Sequence, residues 1–151
     1  MKLIRIIILL IFSICLIGGC QGSNEDIVKV DKVLVGESEH WKASYKAKGF
    51  LEFYEQDESL QTKYDGSDEL TIEYKGTLEE LNSMKKLKVE SPSGSTSTFE
   101  YGLDEAPYSV IFEYKGDLNP RIIQKISQGK KIEFVIMWDG TNGSTEIIQV
   151  K

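Results

Sequence analysis

The sequence predicts an all-β protein built as an antiparallel sandwich. Three observations carry this reading. Apolar and polar residues alternate with period two in several short segments, clusters of Gly, Pro, Ser, Asn and Asp separate those segments, and helical periodicity never extends beyond a turn or two. Behind an apolar leader, residues 27–151 suffice for one domain with a single core.

The first strand is expected over Ile27–Val35, where Ile27, Val28, Val30, Val33, Leu34 and Val35 are largely β-branched, with a bulge at Asp31-Lys32 where the alternation slips. Gly36-Glu37-Ser38-Glu39 breaks it. Trp41, Ala43, Tyr45 and Ala47 then alternate with Lys42, Ser44, Lys46 and Lys48, the pattern of a strand with one wet face. A strand continued to Tyr54 would be unusually long, so Gly49 is expected to turn the chain and Phe50–Tyr54 to return as a hairpin arm. Glu55–Asp68 reads as a polar connection with a turn at Asp65-Gly66-Ser67-Asp68.

Leu70, Ile72 and Tyr74 mark one face of the next strand, and Thr77-x-x-Glu80 has the form of a capping box over a single helical turn. Leu87–Val89 and Thr96–Tyr101 flank a turn at Ser91-Pro92-Ser93-Gly94-Ser95, and Gly102–Pro107 forms a loop. The last third repeats this plan. Glu73-Tyr74-Lys75-Gly76 matches Glu113-Tyr114-Lys115-Gly116, Lys85-Lys86-Leu87 matches Lys130-Lys131-Ile132, and Gly94-Ser95-Thr96 matches Gly143-Ser144-Thr145. Two copies of a strand, crossover, strand, turn, strand unit would explain the matches, with the common reuse of Tyr-Lys-Gly and Gly-Ser-Thr in β proteins as the simpler reading. Trp41 from one sheet and Ile132, Phe134, Ile136 and Trp138 from the other supply the bulk of the core. An immunoglobulin-like topology is the leading expectation, with a small closed barrel as the alternative.

The leader sets where this domain works. Lys2 and Arg5 precede an apolar run too short to span a bilayer, and Ile17-Gly18-Gly19-Cys20 closes it. These residues resemble the lipobox of a bacterial lipoprotein, although that pattern more often has Leu where this chain has Ile17. The resemblance implies a signal peptide over residues 1–19, a lipidated Cys20 followed by a linker to Asp26, and the domain over 27–151. It also implies a partner, the plasma membrane, reached on its extracytoplasmic face through the lipid on Cys20. Gly36-Glu37-Ser38-Glu39-His40-Trp41-Lys42 and the Tyr45 strand are similar to a segment of small uncharacterised lipoproteins of Gram-positive bacteria. Two acyl chains give a stable anchor where one is marginal. Cys15 leaves with the leader, so no disulfide forms in the mature chain and the fold rests on its core.

The leader holds two of the 18 basic residues and none of the 24 acidic ones, so the mature chain carries about −8, a charge that repels nucleic acid. A hydrolytic nucleophile needs a base, and His40 is the single histidine, read as an ordinary half-exposed residue beside Trp41. His and Cys are too few for a transition-metal site built from them, and no cofactor is expected. Two acidic groups, Glu52, Glu55, Asp57, Glu58 and Asp65, Asp68, Glu69, are the only candidates for calcium or for a carboxylate pair, with solvation the simpler reading. Asp139-Gly140-Thr141-Asn142-Gly143 reads as a hairpin turn. Tyr45, Tyr74 and Tyr114 fall in phase with core positions. That leaves Tyr54 and Tyr108 as candidate ligand-binding residues on exposed surface. The sequence therefore points to a non-enzymatic binding module for an envelope protein or a small ligand. An envelope hydrolase using a carboxylate pair, or a structural or immunity protein acting by strand addition, are the alternatives.

Overall fold

The computed structural model describes residues 26–102, 104–140 and 143–151. The leader, the lipobox and Cys20 lie outside the described residues. Among the described residues eight strands and one helix follow in order: β1 Asp26–Glu37, β2 Trp41–Gln56, β3 Ser59–Tyr74, β4 Lys86–Glu90, β5 Thr96–Glu100, β6 Ile111–Asp117, α1 Pro120–Ser127, β7 Ile132–Trp138 and β8 Ser144–Val150. They form two four-stranded antiparallel sheets, ordered β1-β2-β3-β6 and β5-β4-β7-β8, open rather than closed into a barrel. This is the sandwich the alternation predicts. Its first sheet begins as a meander, because the connections after β1 and β2 are too short to cross to the other sheet. An immunoglobulin constant domain orders the corresponding sheet A-B-E-D. Among the described residues no helix is long and apolar enough to cross a membrane.

The chain departs from the expected boundaries where the first sheet is longest. No turn occurs at Gly49: β2 runs unbroken for 16 residues, and β3 for the same length. Gly49 instead faces Gly66 across the ladder. A Cβ on Gly49 would stand 2.5 Å from the Asp65 carbonyl oxygen and 2.8 Å from Gly66 Cα, with Leu118 close above. The two glycines that suggest turns are thus a close-approach pair within strands. The actual turn is Asp57-Glu58, whose φ values of 51° and 60° fit a two-residue hairpin loop. Nor does β1 bulge at Asp31-Lys32, since its register with β2 is continuous. The apparent slip arises because Val33 and Val35 lie on the wet face, each 60% exposed.

The helix α1 is absent from the sequence expectation. Asn119 caps it by accepting from the Arg121 amide at 2.9 Å, Pro120 opens its first turn, and Ile122, Ile123 and Ile126 are buried. It packs on β1 and β2. Sheet β5-β4-β7-β8 covers the other end of the long strands, where the Trp41 and Trp138 rings lie 5.4 Å apart and those of Tyr45 and Phe134 5.0 Å apart. The expected capping box is present, with the Thr77 amide donating to Glu80 Oε2 at 2.9 Å and the Glu80 amide to Thr77 Oγ1 at 3.3 Å.

The repeat read in the sequence has a counterpart in the topology. Units β3-β4-β5 and β6-α1-β7-β8 occupy equivalent places, since β3 pairs with β6, β4 with β7, and β5 and β8 flank them. Ile72 pairs with Phe112 and Glu90 with Val135, positions related by the same offsets as the sequence matches. The buried core of the described residues contains no charged side chain, and its polar side-chain atoms are those of its tyrosines and tryptophans. Truncating Ile123→Ala, fully buried under α1, is expected to cost about 2–5 kcal/mol in denaturant unfolding. A change under 1 kcal/mol would mean that the helix is dispensable to the core.

Candidate functional site

The sandwich is closed along one seam and open along the other. At the first, edge strands β1 and β8 meet where Val35 and Lys151 exchange two backbone hydrogen bonds of 3.2 Å. At the second, β5 and β6 share no backbone ladder. Phe99 bridges them instead, its ring 5.3 Å from Phe112 and 5.0 Å from Tyr114. Beside this bridge opens a cleft of about 490 Å³, bounded by β3, β6, the entry to α1 and the β4–β5 turn.

Local sequence builds each wall. Gly94, at φ 85°, lets the turn close through the Gly94 amide to the Ser91 carbonyl (2.9 Å) and the Ser91 amide to the Ser95 carbonyl (2.8 Å). The hydroxyls of Ser91, Ser93 and Ser95 then lie within 2.5–3.0 Å of one another, and Ser97 follows on the same wall. Across from them the buried Tyr45 donates its hydroxyl to Asp68 Oδ2 at 2.7 Å. Burial first, then the bond to Asp68 and its charge, push this phenol far above its ordinary range. It therefore acts as a fixed donor and not as a base or nucleophile at neutral pH. Burial likewise raises Tyr114, helped by Tyr101, and the Tyr114 hydroxyl is shielded without a hydrogen-bond partner. Tyr64 offers a half-open ring, 54% exposed, at the outer end. The arrangement presents neutral hydroxyl donors and acceptors, the carboxylates of Asp68 and Asp117, the Lys115 ammonium and aromatic faces, a set suited to holding a polar molecule.

His40 stands at the β1–β2 turn, on the closed seam. It is half-exposed, as the sequence suggests, but it is anchored. Its Nδ1 is 2.5 Å from Glu146 Oε1, its amide donates to Glu146 Oε2 at 3.1 Å, and its ring lies 6.3 Å from Tyr74, nearly parallel, and 5.8 Å from Trp138. Burial works to raise the Glu146 carboxyl. The Ser38 hydroxyl and the ring, amide and charge of His40 outweigh it and hold the group below its ordinary range.

The sequence-predicted residues do not converge. Tyr54 is half-buried beside the β2–β3 turn, pairing in register with Gln61. Tyr108 is 89% exposed in the loop before β6, beside a hollow of about 440 Å³ near Tyr101 and Ile111. They stand at opposite ends of the long strands and neither lines the cleft. Glu55, Asp57 and Glu58 splay around an exposed turn, and among the described residues neither acidic run gathers into a ligand cluster. Asp139 caps the neighbouring strand by accepting the Lys85 and Lys86 amides at 2.7 Å. Sequence reasoning passes over Tyr64, which falls in the Glu55–Asp68 segment read as a polar connection. Its even-number phase with Leu70, Ile72 and Tyr74 is the signal that places it on the inner face. No family of known proteins matches the chain, and neither does any curated protein.

Removing the donor by Tyr45→Phe leaves the Asp68 carboxylate without this partner, and the expected loss is about 1–3 kcal/mol in urea unfolding with the circular dichroism spectrum unchanged. An unchanged midpoint would show that solvent replaces the phenol at no cost.

Proposed function

We propose that this chain is a lipid-anchored, extracytoplasmic binding protein without catalytic activity, and that its ligand is a small neutral molecule rich in hydroxyl or amide groups. The observation that carries the reading is the cleft, within the size range of small-molecule sites and lined by tyrosines facing a row of serines. Aromatic faces cover the apolar side of a sugar-like ring while hydroxyls and carboxylates match its polar rim. Ile17-Gly18-Gly19-Cys20 supports the anchor. With a linker of only about 20 Å after Cys20, the ligand is met close to the membrane.

A second reading rests on the backbone. The edges of β5 and β6 that flank the cleft are both unpaired, so an extended peptide from an envelope protein is the alternative occupant, held by strand addition. The hydrolase reading has less support, because Glu55, Asp57 and Glu58 neither line the cleft nor belong to a ligand cluster among the described residues.

Titration of the processed chain with soluble wall oligosaccharides and with wall peptides, followed by amide chemical shifts, separates these cases. Oligosaccharides are expected to shift Tyr64, Ser93 and Tyr114, and Tyr64→Ala to weaken binding about tenfold, or roughly 1.4 kcal/mol, with the fold intact. Shifts from peptides alone, along β5 or β6, would replace the small-ligand reading by strand addition. In intact cells, Cys20→Ser is expected to abolish fatty-acid labelling and release the protein from the envelope. Retention without label would overturn the anchor.

A further inference from the structure

The closed seam carries a second group of chemistry-bearing side chains, distant from the cleft and independent of what the cleft binds. Glu39 and His40 from the β1–β2 turn and Glu146 from β8 bring one ligand atom each to within 4.8 Å of one another, the one such convergence among the described residues. We propose that these three residues form a binding site for a divalent transition metal of the zinc type.

Three features of the geometry support it. The ligands are preorganised, since the His40 ring rests between Tyr74 and Trp138 and the His40 amide fixes the Glu146 carboxylate through its second oxygen. The donor set, one imidazole with two carboxylates, suits zinc, cobalt or nickel better than calcium, which needs six to eight oxygens. The required movement is small. Metal bonds of about 2.0–2.2 Å place tetrahedral donors roughly 3.3 Å apart. His40 Nδ1 and Glu146 Oε1, now 2.5 Å apart, open by less than 1 Å, while the exposed Glu39 swings inward. The metal takes the Nδ1 lone pair of the neutral imidazole, whose single ring proton is then carried on Nε2. Three protein ligands leave an outward coordination position for water or a partner's side chain. The ion also ties the β1–β2 turn of one sheet to β8 of the other.

Both tryptophans of the chain report on this site: Trp138 lies against His40, and Trp41 against Trp138. Titrating the processed chain with cobalt(II) is expected to quench its fluorescence to saturation at one ion per chain, with reversal by zinc(II) and no competition from millimolar calcium or magnesium. Zinc is expected to raise the melting temperature. His40→Asn and Glu39→Gln should each weaken the ion at least tenfold. Because Glu39 is exposed, the second variant tests ligation even if the first fails to fold. No saturable quenching, unchanged affinity in Glu39→Gln, or displacement of cobalt by calcium would each overturn the site, the last by showing diffuse attraction to surface carboxylates.

Discussion

The structure depends on a mismatch of length. Strands β2 and β3 have 16 residues each, roughly 50 Å of extended chain, whereas β7 and β8 have seven, roughly 23 Å. One sheet cannot cover the other. The inner face left bare would expose Val28, Val30, Leu51 and Ala47 to water, at about 25 cal/mol for each Å² of apolar surface. The helix α1 covers part of that deficit with three isoleucines, and Leu118 leads into it over the paired glycines 49 and 66, where a side chain on the sheet would collide with it. Removing bulk at those two positions lets the helix lie close to the ladder. The cleft then follows at the margin of this cover, where the entry to α1, the end of β6 and the serine turn leave space between the two layers.

Residues whose inward or outward direction is set by local alternation are legible from sequence alone. Trp41, Ala43, Tyr45, Ile72 and Phe134 all lie where period two puts them, and the Thr77–Glu80 capping box reads correctly because both partners lie within four residues. The failures share a different cause. Gly49 and Gly66 carry the same letter whether they turn a chain or allow two strands and a helix to approach, and only the partner across the ladder decides. Asp57-Glu58 lacks the Asn-Gly or Asp-Gly signature of its turn type, so the true reversal is silent. Eight residues of α1 hold too few turns for periodicity to stand out, although Asn119-Pro120 and the spacing of Ile122, Ile123 and Ile126 give its start and its inner face in retrospect.

The chemistry shows the same division. Dense runs of acid, Glu52 to Glu58 and Asp65 to Glu69, attract notice in sequence, yet alternation along a hairpin sends successive carboxylates to opposite faces. Charge repulsion further favours their separation. Glu146 stands alone in its strand and meets His40, 106 positions away in sequence, only because β8 folds back against β1. Counting histidines and cysteines underestimates such a site, since a single imidazole suffices when the tertiary fold brings carboxylates to it.

The two seams differ because the two topologically equivalent units are not flanked alike. Exchanging the units β3-β4-β5 and β6-α1-β7-β8 maps β3 onto β6 and β4 onto β7, but β1 and β2 have no counterparts beyond β6. On the side where they exist, β1 closes against β8 and gathers Glu39, His40 and Glu146 into one corner. On the other side nothing continues the ladder. The edges of β5 and β6 stay unpaired, Phe99 spans the gap, and the cleft opens beside it. Exposed edges invite unwanted pairing, and this one is blunted by the brevity of β5 and by Glu113, Lys115 and Asp117 along β6. An edge kept open but defended by charge is the arrangement expected where selective access to the space between two sheets is of use, because a closed ninth or tenth strand would fill that space with backbone and exclude any ligand.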